Sequence, residues 1–157
     1  GLSKAYALPG LRIGWLAGPQ EIIDISWAYH DYTTISPGII GDRVATLVLQ
    51  PELRKKVLSR NRKILKDNLT LLEEWVAKHK PLFKLIPCRA GAVTFPRYTM
   101  KINSTELSTR LIKEKSVFVV AGDCFGMDHF VRVGIGSEKD YFKQALSLIG
   151  DALKEIV

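Results

Sequence analysis

Cysteine is scarce in this sequence, and long apolar stretches are absent. The 157 residues include two cysteines, Cys88 and Cys124, and neither has a second cysteine or a histidine at metal-site spacing. This pattern argues against a disulfide framework and a zinc site, so we expect both cysteines to be small core residues. No apolar run approaches the roughly 20 residues that span a bilayer, and no signal-peptide pattern occurs. We therefore expect a cytoplasmic protein without a membrane partner.

Acidic residues are outnumbered by basic ones. Lysine plus arginine number 23 and aspartate plus glutamate 16, which gives a formal net charge of +7. Much of the excess lies in the run LRKKVLSRNRKILKDN, where apolar residues recur at helical spacing beneath the charges. Such a pattern is typical of the solvated face of an amphipathic helix. Because no RNA-binding strand, zinc finger or glycine-rich clamp loop occurs, we expect no nucleic-acid partner.

The apolar periodicity predicts a mixed helix and strand protein. Helices are expected at residues 21–30, 37–50, 51–79 and 103–115, and from residue 137 to the end, the fourth with a capping box of Asn103 and Glu106. Strands are expected at residues 11–18, 83–87, 92–98, 116–121 and 129–135. Strands interspersed with helices after residue 80 indicate a compact α/β or α+β domain.

The longest predicted helix suggests a boundary between two domains. At 1.5 Å per residue it would be about 40 Å long, which exceeds the width of a small domain. The segment before it offers one good strand, 11–18, and a single strand cannot satisfy its own backbone. We expect residues 1–55 to be the remnant of a larger domain, residues 56–80 a linking helix, and residues 81–157 a small domain.

Two charged residues, Lys4 and Arg12, lie where a plain structural role does not need them. They are eight positions apart in GLSKAYALPGLRIGW, on either side of a Pro-Gly turn. An arginine in an apolar strand is costly unless it is paired. A lysine amine can bond to a tethered aldehyde such as pyridoxal 5′-phosphate, whose phosphate needs arginine and backbone donors of its own.

The stretch GLSKAYALPGLRIG resembles the lysine-attachment signature of the class I and II aminotransferases, which are fold type I enzymes that use pyridoxal phosphate. The resemblance implies an α/β fold, in which the end of a large cofactor-binding domain is joined by a long helix to a C-terminal α+β small domain. It implies that Lys4 holds the cofactor aldehyde and shuttles a proton, and that Arg12 holds the phosphate. Gly1 and Ser3 are the further cofactor-binding candidates, and no metal is implied.

Later segments are similar to the same family. VVAGDCFG followed by HFVRVGIG resembles its C-terminal stretch, in which an arginine pairs with the substrate α-carboxylate, and here that arginine is Arg132. RAGAVTFP, with Gly91 and Phe95, resembles the small-domain loop that faces the substrate. HDYTTISPG resembles the segment that reaches the neighbouring subunit in the family dimer, which makes residues 32–36 candidates for a contact between subunits.

Taken together, these resemblances imply part of an amino acid aminotransferase of the aspartate, aromatic or alanine type. Its substrates would be an amino acid and a 2-oxo acid, and its assembly a homodimer. We expect the chain to be the C-terminal part of a longer polypeptide, inactive alone, with residues 11–17 covered by a second copy or by the missing part. Two alternatives stay open: a pyridoxal-phosphate-dependent lyase or decarboxylase of the same fold, and a non-catalytic binding or assembly domain.

Overall fold

The computed structural model describes residues 1–156, which fall into two compact units. The first unit ends at Asn61 and the second begins at Arg62, so the boundary lies inside the longest helix. The assignment of residues 1–55, 56–80 and 81–157 to a large domain, a linking helix and a small domain remains a prediction. Within the described residues, no helix combines the length and the apolar composition that crossing a membrane requires.

The helices follow the apolar periodicity closely, and the five that were predicted are confirmed. They are α1 (Gln20–His30), α2 (Ile39–Val48), α3 (Pro51–Lys78), α4 (Ser104–Lys115) and α5 (Lys139–Ile156). The strands are shorter than predicted: β1 (Phe83–Lys84), β2 (Val93–Thr94), β3 (Arg97–Tyr98), β4 (Val120–Ala121) and β5 (Val131–Gly134). Short 3₁₀ turns occupy Pro9–Leu11 and Gly122–Phe125.

The prediction of a buried strand at residues 11–18 is wrong. After the 3₁₀ turn, residues 12–17 have no regular secondary structure, and Trp15 and Leu16 are 59% and 62% exposed. A strand exists only where a neighbour pairs with its N–H and C=O groups. Among residues 1–61 the structure contains no other strand that could pair with this segment.

The second unit is built on a three-stranded antiparallel sheet in the order β2-β5-β4. β1 and β3 form a separate antiparallel pair, which is linked to β5 by the bridge between Arg97 and Phe130. The strand predicted at residues 92–98 is therefore divided into β2 and β3. The division falls at Pro96, which has no N–H to donate to a ladder but accepts a hydrogen bond from the Val131 N–H at 3.1 Å.

One face of this sheet is buried against α3, α4 and α5. Tyr98 is 1% exposed and donates its hydroxyl to the Ile102 carbonyl oxygen at 2.9 Å, and burial raises the pKa of this phenol. Cys88 packs against the core, whereas Cys124 is exposed and both thiols are free, so the prediction of two core cysteines is wrong for Cys124. The core of the second unit includes Leu72, Val76, Phe83, Leu107, Leu111, Val119, Val131, Val133, Phe142, Leu146 and Leu153.

The amino terminus of α4 is capped by three side chains. The first N–H groups of a helix have no partner inside the helix, so each needs an external acceptor. The three bonds run from Ser104 N–H to Asp128 (2.8 Å), from Thr105 N–H to Asp123 (3.2 Å) and from Glu106 N–H to Asn103 (2.8 Å). The capping role predicted for Asn103 is confirmed, and the two aspartates tie the loop before β5 to this helix.

Replacing Asn103 by Ala is expected to destabilise the second unit. Loss of a helix N-cap costs about 1 kcal/mol of unfolding free energy, because the Glu106 N–H loses its acceptor. Asn103→Asp is the matched control, since a carboxylate also caps and favours the helix dipole. Urea unfolding followed by circular dichroism measures the difference, and equal stability of the two variants would contradict the capping assignment.

Candidate cofactor and substrate sites

Leu2 anchors the loop that carries the candidate lysine. It is completely buried and packs in the core of the first unit with Tyr6, Ala45 and Val48. Its N–H donates to the Ile13 carbonyl oxygen and its own carbonyl oxygen accepts from the Leu8 N–H, both at 3.1 Å. The first bond holds the segment of residues 1–4 beside the segment of residues 12–14, and the second closes the loop between Leu2 and Leu8.

Lys4 and Arg12 both lie exposed on this loop. The Lys4 carbonyl oxygen accepts the Ala7 N–H at 2.9 Å, which closes a turn with the lysine at its start. Arg12 adopts a left-handed backbone conformation with φ of 55°, and its guanidinium donates to the Pro9 carbonyl oxygen at 3.0 Å. Arg12 is therefore not the buried strand residue that was predicted, because the turn places its side chain at the surface.

The other two cofactor-binding candidates belong to the same loop. A Cβ built on Gly1 would lie 3.4 Å from the Gly14 Cα, so the two glycines allow a close approach of the backbone. Ser3 is half-buried and directly precedes the lysine. The structure thus brings Gly1, Ser3, Lys4 and Arg12 into one loop of the first unit.

Two side chains of α3 support the turn at the lysine. The Arg54 Nε donates to the Tyr6 hydroxyl at 3.0 Å, and the Asn61 Nδ2 donates to the Ala5 carbonyl oxygen at 2.9 Å. Sequence reasoning missed both residues. Each contact joins positions about fifty residues apart, and no local pattern marks Arg54 or Asn61 among the other polar residues of the helix.

Helix α2 packs directly on the arginine side of the loop at Gly41. A Cβ on Gly41 would lie 2.6 Å from the Leu11 carbonyl oxygen, a distance that Cβ atoms do not tolerate. Only glycine fits at this contact without a shift of the backbone. Gly41 is also a residue that sequence reasoning missed. A glycine inside a helix pattern can indicate close packing, but it does not identify the segment that packs there.

The loop fits the two reactive ends of pyridoxal phosphate. An exposed lysine amine suits an aldehyde, and an exposed guanidinium suits a phosphate. Neither Lys4 nor Arg12 takes part in an ion pair with another described residue, so neither charge is consumed by a structural partner. Within residues 1–156 no group of three His, Cys, Asp or Glu side chains could hold a metal ion.

The candidate for substrate binding, Arg132, lies in the second unit on β5. Its neighbours Val131 and Val133 are buried, whereas Arg132 itself is half-buried and points to the opposite face of the sheet. No ion pair among residues 1–156 includes it. The alternation of the strand therefore places the Arg132 guanidinium on the face opposite the core, and its predicted role in binding a carboxylate stays a prediction.

The remaining segments singled out from the sequence are exposed. Gly91 has a left-handed backbone with φ of 90°, which favours glycine, and Phe95 follows β2 and is half-buried. Residues 32–36 are all exposed, with Tyr32 at 86%. Their predicted contact with a neighbouring subunit stays a prediction.

Comparison with known proteins identifies the family. The family model described as aminotransferase class I and II matches residues 1–149, and the chain belongs to this family. Capreomycidine synthase from Streptomyces vinaceus is 31% identical over 152 residues, covering 97% of this chain and 39% of that protein. An aspartate aminotransferase from Rhizobium meliloti is 26% identical over 164 residues, covering 99% of this chain and 40% of that protein.

Solved structures agree with the sequence comparison. The crystal structure of a PLP-dependent aminotransferase from Streptococcus suis superposes with a TM-score of 0.92 at 33% identity, and covers all of this chain but 41% of that one. The predicted fold is thus confirmed as that of fold type I, and the cofactor of the family is pyridoxal phosphate, as expected. The chain spans about two-fifths of the length of these relatives.

Replacing Gly41 by Ala is expected to loosen the lysine loop. The added methyl group would overlap the Leu11 carbonyl oxygen, and overpacking of this kind costs about 1–3 kcal/mol. The amide of Leu2 should then exchange its hydrogen roughly tenfold faster. Gly38→Ala is the matched control, since a Cβ there meets nothing within 4 Å. Equal exchange rates in the two variants would contradict the contact.

Stability of the second unit is expected to depend on the charge of Asp128. Hydrogen bonds from the Ser104 and His129 N–H groups lower the pKa of this carboxyl below its ordinary value. Because the folded pKa is the lower one, the carboxylate stabilises the fold near neutral pH and loses this effect as the pH falls from about 5 towards 2. Urea unfolding should show that Asp128→Asn has a lower free energy of unfolding than the wild type at pH 7. The difference in unfolding free energy should be smaller at pH 3. A gap that does not change with pH would contradict this role.

Proposed function

We propose that this chain is part of a pyridoxal-phosphate-dependent aminotransferase that moves an amino group from an amino acid to a 2-oxo acid. The observation that carries the proposal is the lysine loop, where an exposed amine and an exposed guanidinium are held on adjoining segments by the bonds of Leu2. Membership of the aminotransferase family supports the same reading.

Each candidate residue has a role that its chemistry permits. The Lys4 Nζ would hold the cofactor by its aldehyde carbon, and once released it would accept and return a proton. The guanidinium of Arg12, the hydroxyl of Ser3 and the open backbone at Gly1 would bind the phosphate. When bound, pyridoxal phosphate supplies an electron-withdrawing ring that stabilises negative charge on the substrate α-carbon.

Arg132 would bind the α-carboxylate of the substrate. A guanidinium presents parallel N–H donors that match both oxygens of a carboxylate, so it orients the acid as well as attracting it. Its half-buried position strengthens the interaction relative to one in open water.

Capreomycidine synthase provides a specific reason to keep a second candidate. This relative is 31% identical across nearly the whole chain, and its name describes a synthase rather than an aminotransferase. The same lysine loop would then serve another reaction on the same cofactor, such as that of a lyase. The homodimer and the cytoplasmic location that were expected from the sequence stay predictions.

The proposed cofactor site is tested by reductive trapping. The 157-residue chain is incubated with pyridoxal phosphate, reduced with borohydride and digested, and the occupancy of every lysine is measured by mass spectrometry. We expect label concentrated at Lys4. Arg12→Ala should lower the occupancy of Lys4 roughly tenfold, as loss of a charged hydrogen-bond partner does, without changing the other lysines.

Two controls make the result specific. Arg43→Ala removes an exposed arginine of α2 in the same unit and should leave the labelling of Lys4 unchanged. Pyridoxal without its phosphate should label Lys4 equally in the wild type and in Arg12→Ala. Label spread evenly over the lysines, or an equal loss in both arginine variants, would overturn the assignment of this loop as a cofactor site.

A further inference from the structure

The register of the sheet defines the surroundings of Arg132. Thr94 faces Val133, and Arg97 faces Phe130, so the register is the same on both sides of Pro96 and places Phe95 opposite Arg132. On the other side of β5, Val120 faces Arg132. Side chains that face each other in antiparallel strands lie on the same side of the sheet, with Cβ atoms about 4.5–5.5 Å apart.

Phe95 and Arg132 form a non-hydrogen-bonded pair, the type of antiparallel pair in which the side chains lie closer together. The Val131 N–H donates to the Pro96 carbonyl oxygen and the Tyr98 N–H donates to the His129 carbonyl oxygen, so these bonds flank the pair of Arg97 and Phe130. A pair two residues further along is of the same type. In such pairs the Cα atoms approach to about 4.5 Å, and the side chains are correspondingly close.

The four nearest positions on this face carry no charge. Phe95 and Val120 lie beside Arg132 across the sheet, and Phe130 and Gly134 lie two residues before and after it along β5. The guanidinium therefore emerges from an apolar surface. Fewer water molecules surround a charge on such a surface, so the effective dielectric constant is lower. The attraction between the guanidinium and a carboxylate is therefore stronger than in open water.

Phe125 extends the apolar surface beyond Phe95. The two rings meet edge to face, with centroids 5.3 Å apart and an angle of 87° between their planes. Phe125 is still 49% exposed, so its ring has a free surface. The loop that carries it is fixed to α4 by the side chains of Asp123 and Asp128.

Open space adjoins the arginine on the same face. A Cβ built on Gly134 would meet nothing within 4 Å, so an atom of a bound molecule could occupy that volume. Arg97, which is bridged to Phe130, is a second cation placed diagonally to Arg132, and it is exposed. Two kinds of ligand are therefore possible for Arg132. One is an acid whose apolar part contacts Phe95 and Phe125, and the other is an acid whose second anionic group binds Arg97.

We propose that Phe95, backed by Phe125, is a specificity-determining residue that makes Arg132 select carboxylates with an apolar, aromatic-sized side chain. This inference rests on the proposed role of Arg132 as the carboxylate-binding residue. An acid with an apolar side chain is preferred because Phe95 is directly opposite Arg132. Arg97 is diagonal to Arg132, opposite Phe130, and is solvated. An exposed charge of this kind attracts a second carboxylate only weakly.

Titration of the isotopically labelled chain with two simple acids tests the inference. The probes are 3-phenylpropanoate and succinate at constant ionic strength, and the readout is the backbone amide shifts of residues 93–97, 118–122 and 130–134. We expect a Kd for 3-phenylpropanoate at least about threefold lower than that for succinate. Phe95→Ala should raise the Kd of 3-phenylpropanoate roughly three- to tenfold, the range of an aromatic contact, and leave that of succinate nearly unchanged.

Two further variants complete the design. Arg97→Gln should leave the Kd of 3-phenylpropanoate unchanged. If Phe95→Ala does not fold, Gly134→Val replaces it. The added side chain enters open space, so folding is retained. This variant should raise the Kd of 3-phenylpropanoate at least about threefold.

The outcomes separate this inference from the proposed function. Tighter binding of succinate that is lost in Arg97→Gln would overturn the inference and indicate dicarboxylate recognition, with the role of Arg132 intact. Absence of binding by either acid would overturn both the inference and the carboxylate role of Arg132. The labelling of Lys4 by pyridoxal phosphate is unaffected by either result, because it reports on a different loop.

Discussion

The strict alternation of β5 is the constraint on which the second unit depends. Val131 and Val133 enter the core, so the residue between them must face outward whatever its charge. This fixed direction supplies a cation on a sheet face whose nearest positions are uncharged. The same register aligns Phe95 with that cation, so the packing of two valines determines both the position of the charge and the apolar surface beside it.

In the first unit, backbone contacts take the place of a sheet. Leu2 is bonded through both its N–H and its carbonyl oxygen, and Gly41 allows α2 to approach the Leu11 carbonyl oxygen. The charged side chains of Lys4 and Arg12 are left exposed by this arrangement rather than paired. A lysine and an arginine without an ion-pair partner are what a ligand with an aldehyde and a phosphate requires.

Helices and motif residues were predictable because their signals are local. Apolar spacing fixed the helices close to their observed bounds, and Asn103 followed by Glu106 marked the start of α4. The strand at residues 11–18 was not predictable in the same way, since an apolar run becomes a strand only beside a partner. Pro96 likewise divided a continuous run into β2 and β3, because the missing N–H interrupts the ladder.

The sequence by itself determined the candidates for the chemistry, because residue type and motif single out Lys4, Arg12 and Arg132 without any knowledge of tertiary contacts. The tertiary structure alone decided what surrounds them. The support of the lysine turn by Arg54 and Asn61, and the alignment of Phe95 with Arg132, join positions far apart in the chain. Such contacts depend on how whole elements pack, and periodicity along the chain carries no information about that packing.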